Sequence, residues 1–175
     1  MIRKLEDVLE TLASISPHAP SATLSSEQTE LLTSLLGEPG LALMQFLDGR
    51  EQCADVFWNL DTVSGFAHTM FADVLGAEAG LTILAFSGSG DAWAIDWNDA
   101  KMVFLNHDGM EQTSEYPMVV PLGITLEELV RIADAWAALE EKVEEEEVAE
   151  DILISDFLRR LEVFSPRAAA SWPYS

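Results

Sequence analysis

Between Leu81 and Gly109 the chain alternates short apolar runs with turn residues, and this stretch restricts the fold more than any other. Leu81 to Phe86 is an apolar run of strand length, set between Gly80 and Ser87-Gly88-Ser89-Gly90. Asp91 to Trp97 then alternates. Trp93, Ile95 and Trp97 fall on one side and Ala92, Ala94 and Asp96 on the other, which is the period of a strand. Asn98-Asp99 supplies a turn, Lys101 to Asn106 a third strand, and His107-Asp108-Gly109 a further turn. Strands joined by two consecutive short turns form an antiparallel meander.

Helical spacing dominates on either side. Ile2, Leu5, Val8, Leu9, Leu12 and Ile15 recur as one stripe and predict a helix over 2–15. Ser16-Pro17-His18-Ala19-Pro20-Ser21 breaks it, because each Pro disfavours helix at the residue before it. Ser25 or Ser26 can cap a second helix over 25–36, which Gly37-Glu38-Pro39-Gly40 ends, and a short helix follows over 41–48. Val56 to Leu60 reads as a strand and Thr62 to Leu75 as a helix that Gly65 weakens. Met118-Val119-Val120 adds an edge strand confined by Pro117 and Pro121. Thr125 and Glu128 form a capping box that opens a helix over 125–143, and the last helix spans 148–163. The tail, 166–175, reads as loose. Helices, then strands, then helices make an α+β fold: one domain over 1–165, with an antiparallel meander of about four to six strands within 52–121, flanked by N-terminal and C-terminal helices.

Charge narrows the partners. The 175 residues carry 9 Lys+Arg against 31 Asp+Glu, a formal charge of −22. A disordered acidic chain would lack the 49% hydrophobic content seen here, so the charge belongs to the surface of a folded domain. Phosphate contacts need Lys and Arg, so nucleic acid is excluded as a partner, and an anionic membrane equally. An acidic surface steers basic partners, or else it only keeps the protein soluble. No apolar run approaches the roughly 18 residues of a membrane span. Arg3-Lys4 meets Glu6, Asp7 and Glu10 where a secretory signal needs its apolar stretch, so a cytoplasmic location is expected.

Catalytic patterns are sparse. Cys53 is the single cysteine, without a sequence-near cation to activate it, and no Cys-pair metal site can form. The histidines His18, His68 and His107 show no metal-ligand spacing, and no metal or cofactor is expected. Asp96-Trp97-Asn98-Asp99 lacks the Gly and distal Glu of a calcium loop. Ser87-Gly88-Ser89-Gly90 fails the nucleophile-elbow frame, because Ser87 and Asp91 stand where Gly is needed. Paired carboxylates are too abundant to single out an acid pair. The run Glu144-Glu145-Glu146-Glu147 is either a solvated helix surface or a patch for a basic partner. Trp58, Trp93 and Trp97 are either core or a binding face, since Trp is enriched at interface hot spots.

The segment Leu81 to Gly109 resembles the central signature of the SUKH superfamily, the Smi/Knr-type proteins that include many bacterial toxin-immunity proteins. The resembling positions are Gly88, Gly90 and Asp91 of a Gly-x-Gly-Asp loop, Trp93 and Asp96 of the following strand, and Val103, His107 and Asp108 of the next. Phe46-Leu47-Asp48-Gly49 and Phe157-Leu158-Arg159-Arg160-Leu161 resemble helix ends of that family, whereas Glu38-Pro39-Gly40 departs from its usual Leu-Pro. The resemblance implies a SUKH-like fold and a non-enzymatic immunity protein that binds and neutralises a cognate toxin. The charge adds that this toxin is basic, of nuclease type. Candidate partner-binding residues are Asp48, Trp58, Asp61, Trp93, Asp96, Trp97, Asp99, Asp108 and Glu111, while Gly88, Gly90 and Asp91 build the motif's turn. A regulatory protein-binding scaffold of the same fold and an acid-pair hydrolase are the alternatives.

Overall fold

A computed structural model of the chain describes residues 1–14, 24–60, 80–110, 118–145 and 149–174. Helix α1 (Leu5–Ser14) buries Val8 and Leu12, one turn apart on the apolar stripe, with Glu6 and Asp7 at its positive end. Helix α2 (Ser26–Leu47) opens on a capping box in which Ser25 Oγ accepts from the Gln28 amide and Gln28 Oε1 from the Ser25 amide. The two helices expected over 25–36 and 41–48 are one element, broken at Gly37, whose φ of 69° suits glycine alone. Its second half sends Leu41, Leu43, Met44 and Leu47 into the core.

Six strands follow: β1 (Glu51–Cys53), β2 (Val56–Trp58), β3 (Leu81–Phe86), β4 (Ala92–Asp96), β5 (Met102–Leu105) and β6 (Val119–Pro121). They form one sheet in chain order, and every neighbouring pair is antiparallel. The expected meander and α+β class are both observed. The helix expected over 62–75 falls on residues outside the described ones, as does the Glu146-Glu147 part of the acidic run.

One face of the sheet carries Trp58, Trp93, Ile95, Met102 and Phe104, which join α1, α2 and α3 (Leu126–Glu145) in the main core. Helix α3 starts at the expected capping box: Thr125 Oγ1 accepts from the Glu128 amide, and Glu128 Oε2 from the Thr125 amide. A bulge between Ile83 and Ala85 lets Leu84 and Ala85 both enter this core. The opposite face, with Leu81, Ile83, Ala92, Ala94, Val103 and Leu105, is buried too. An antiparallel sheet often leaves one face wet; the central strands here leave neither.

The C-terminal segment corrects the loose tail expected over 166–175. Helix α4 (Glu150–Phe164) ends at Ser165, whose hydroxyl caps α5 (Pro166–Ala170), with Pro166 in the first turn. Beyond α5, Trp172 is 3% exposed. Its ring centroid lies 5.5 Å from Trp93, 5.6 Å from Phe157 and 6.1 Å from Trp136. Tyr174 sits 5.7 Å from Trp136 and 5.8 Å from Phe104. Two large aromatic side chains bury enough apolar area to hold an otherwise irregular segment against the core.

Candidate partner-binding surface

Of the nine candidate partner-binding residues, the seven that are described do not come together. Trp58 and Trp93 are fully buried, which removes them from any binding face. Trp58 Nε1 donates to Gln52 Oε1 at 2.9 Å, and Gln52 Nε2 donates in turn to the Val130 carbonyl at 2.7 Å. Trp93 Nε1 donates to the Asp55 carbonyl at 2.7 Å. Strand alternation set the two rings on one side of the sheet, and that side is the core. Asp48 is buried as well. It ends α2, and its Oδ1 accepts from the Leu60 amide at 2.8 Å, so its carboxylate ties the helix to the end of β2. Asp61 and Glu111 lie outside the described residues.

Trp97 behaves differently because β4 stops at Asp96. The alternation that would carry Trp97 into the core ends one residue too soon, and the ring stays 42% exposed in the β4–β5 turn. It is nevertheless held firmly. The Trp97 amide donates to the Gly80 carbonyl at 2.7 Å, and its Nε1 to Thr82 Oγ1 at 2.8 Å. Asp96 Oδ1 accepts from the Asn98 amide and side chain, both at 2.8 Å, and Asp99 Oδ1 accepts from the Lys101 amide at 2.9 Å. Both carboxylates therefore shape the turn through Oδ1. Three of the candidates, Asp96, Trp97 and Asp99, thus share one turn, which carries an anchored, partly exposed aromatic ring and two carboxylates.

The Gly-x-Gly-Asp corner lies at the other end of β4, four residue steps and about 13 Å away at strand rise. Asp91 is 6% exposed and organises it. Its Oδ1 accepts from the His107 amide at 3.0 Å and pairs with His107 Nδ1 at 2.7 Å, while Oδ2 accepts from Ser89 Oγ at 2.7 Å. Burial alone would raise the Asp91 carboxyl, but the His107 amide and ring, with Ser89, outweigh it and hold it below the usual carboxylate range. The hydrogen bond with Asp91 in turn raises the His107 imidazole against a smaller opposing effect of burial. Gly88 passes close to the β1–β2 turn: its amide donates to the Ala54 carbonyl at 3.0 Å, and a Cβ there would lie 3.2 Å from that oxygen. Gly90 takes a φ of 102°.

This corner does not have the geometry of an activated nucleophile. The carboxylate stands between serine and histidine, so Ser89 reaches Asp91 and not the imidazole that would have to take its proton. Asp91 instead ties the β3–β4 turn to His107 at the end of β5, and the Gly88 amide ties the same turn to Ala54 between β1 and β2. Asp108, with an exposed side chain beside His107 Nε2 at 3.2 Å, belongs to this corner and not to the Trp97 patch. Cys53 is buried, and its thiol is pushed up by burial and by the nearby Glu140. Among the described residues no cluster of three His, Cys, Asp or Glu is placed to hold a metal, and no helix is long and apolar enough to cross a membrane.

Sequence reasoning missed Asp55. Its carboxyl is half-buried and raised by that burial, although Trp136 Nε1 donates to Oδ2 at 3.1 Å. Asp55 receives the indole N–H groups of both Trp93 and Trp136, one on its carbonyl and one on its carboxylate. Nothing in the local pattern Ala54-Asp55 marks it apart from an ordinary turn residue; its partners come from β4 and α3. No family model, curated protein or solved structure matches the chain.

Proposed function

We propose that this chain is a cytoplasmic, non-enzymatic binding protein that neutralises a basic partner protein, an immunity protein for a nuclease-type toxin. The observation that carries the reading is the Trp97 patch, an aromatic ring fixed at 42% exposure in the turn that carries Asp96 and Asp99, on a chain of charge −22. An aromatic face attracts Arg or Lys, and flanking carboxylates add charge-assisted hydrogen bonds to the same cation. Holding the ring in place before binding lowers the ordering cost of association. Carboxylates on such a patch stand where the phosphates of the toxin's own substrate would lie. The resemblance of Leu81 to Gly109 to the SUKH signature supports the immunity form of this reading.

The test is paired capture from the host, with the wild-type chain and Trp97→Ala as baits, eluted along a salt gradient. The expected partner has a basic pI, is toxic when expressed alone, leaves the wild-type bait at moderate salt, and binds Trp97→Ala at least tenfold more weakly. Asp96→Asn with Asp99→Asn should slow association and flatten its salt dependence. A neutral or acidic partner, or one that binds Trp97→Ala unchanged, overturns the proposal.

A further inference from the structure

Cations are scarce on this chain, and they are not spread evenly. Four of the nine Lys and Arg residues, Arg3, Lys142, Arg159 and Arg160, line two adjoining hollows beside the Met1–Arg3 segment, α3 and α4, which share Met1, Ile2 and Arg160. The hollow lined by Arg3, Lys142 and Arg160 is half open to solvent and has a volume of about 210 Å³. The packing accounts for the space. At one level Trp136 and Phe157 meet edge to face at 4.9 Å and set the separation of α3 and α4. Ala135 and Ala138, which line the cavity beside that pair, are too small to fill the gap. The floor is apolar, formed by Ile2, Leu139, Leu153 and Phe157.

The rim is charged but unequally committed. Arg3 is spent: Nε and Nη2 donate to Asp134, and Nη1 to Thr11. Among the described residues Arg160 pairs through Nη2 with Asp156, and its guanidinium has other donors. Lys142 is exposed and makes no ion pair among the described residues. Four cations face two carboxylates here, Asp134 and Asp156, on a surface where acids otherwise outnumber bases more than threefold.

We propose that this hollow binds a small amphipathic carboxylate, an aliphatic acid whose chain lies on the Leu139–Leu153–Phe157 floor while Lys142 and Arg160 take its head group. A hollow of about 210 Å³ has room for a short aliphatic chain. An apolar chamber with a few convergent polar groups at its mouth is the usual form of a small-molecule site. The negative field of the rest of the chain does not forbid an anion here, because at physiological ionic strength it is screened beyond about 8 Å.

The experiment is a titration of the full chain with sodium octanoate, read by calorimetry and by methyl shifts of Leu139 and Leu153. Octan-1-ol serves as the neutral probe of the same shape. Saturable octanoate binding is expected, with octan-1-ol at least tenfold weaker. The double variant Lys142→Gln/Arg160→Gln should weaken octanoate at least tenfold while leaving octan-1-ol unchanged; Asp156 keeps Arg159 in that variant. Ala135→Met should fill the chamber and abolish binding of both, with an unchanged thermal melt showing that the chain is still folded. Equal affinity for the acid and the alcohol, no effect of the double variant, or no saturable binding at millimolar octanoate would each overturn the proposal.

Discussion

Replacing Trp172 with Ala tests whether the C-terminal segment is part of the folded core. Trp172 is 97% buried, since 3% of it is exposed. Its ring touches Trp93, Trp136, Phe157 and Tyr174, which come from β4, α3, α4 and the tail itself. A buried aromatic of this size removes about 200 Å² from water, or about 5 kcal/mol at 25 cal/mol per Å². Measured Trp→Ala changes in cores fall at about 3–5 kcal/mol, because the neighbours relax into part of the cavity. We therefore expect a loss of about 3–4 kcal/mol. With a urea m-value of about 2 kcal/mol/M, the midpoint should fall by about 1.5–2 M. Trp172→Phe separates area from hydrogen bonding. The buried indole N–H has no hydrogen-bond partner among the described residues, so the phenyl ring keeps most of the area and removes a desolvated donor. That variant should cost no more than about 1 kcal/mol. Urea melts followed by fluorescence and far-UV circular dichroism measure both. A loss below 1 kcal/mol for Trp172→Ala would mean that the tail is not docked, and equal losses for Ala and Phe would mean that the indole N–H is paired.

The Asp91–His107 pair should give the corner a pH dependence. His107 is raised in the folded state, so its contribution is complete below the unfolded imidazole value of about 6.5 and is lost as pH climbs through the raised folded value. Asp91 is lowered, so its contribution is complete above the unfolded carboxyl value of about 3.9 and is lost as pH falls through its folded value. In an NMR titration the His107 imidazole should therefore titrate above 6.5, and Asp91→Asn should bring it down; an unmoved midpoint would mean that the contact is absent. Cys53 should resist thiol reagents in the native chain and react fully in denaturant, since it is buried and its thiolate is disfavoured; prompt native labelling would contradict that burial. Trp93→Ala should cost about 3–5 kcal/mol, whereas Trp97→Ala, at a half-exposed turn, should cost about 1 kcal/mol, a contrast that thermal melts read directly.

Local pattern was enough for the central strands and the starts of α2 and α3, which depend on neighbours in the chain, though it did not reveal α5 behind its Ser165 cap. The period-two alternation of Asp91 to Ile95 and the two turns around Asn98-Asp99 and His107-Asp108-Gly109 specified consecutive antiparallel strands, because such turns reverse the chain without a crossover. The capping boxes at Ser25–Gln28 and Thr125–Glu128 lie where side chains three residues apart satisfy free amides. Gly37 likewise marks its own break through a backbone angle open to glycine.

Which side of each element meets another was settled by contacts between distant segments. Alternation put Trp93 and Trp97 on one side, but the last turn of β4 comes at Asp96, so one ring became core and the other surface. The far side of the sheet, with Ala92 and Ala94, is buried as well, which alternation alone does not settle. Trp172 and Tyr174 sit in a segment without periodicity, and their place follows from a cup built by residues 36 or more positions earlier in Trp136, Phe104 and Trp93. Asp55 draws its partners from β4 and α3, and the cation-lined cleft draws Arg3, Lys142 and Arg160 from three separate segments. Periodicity and capping act over a few residues, whereas burial and charge pairing are set by distant parts of the chain brought together, so the central strands and the longer helices described were legible in the sequence and the sites they build were not.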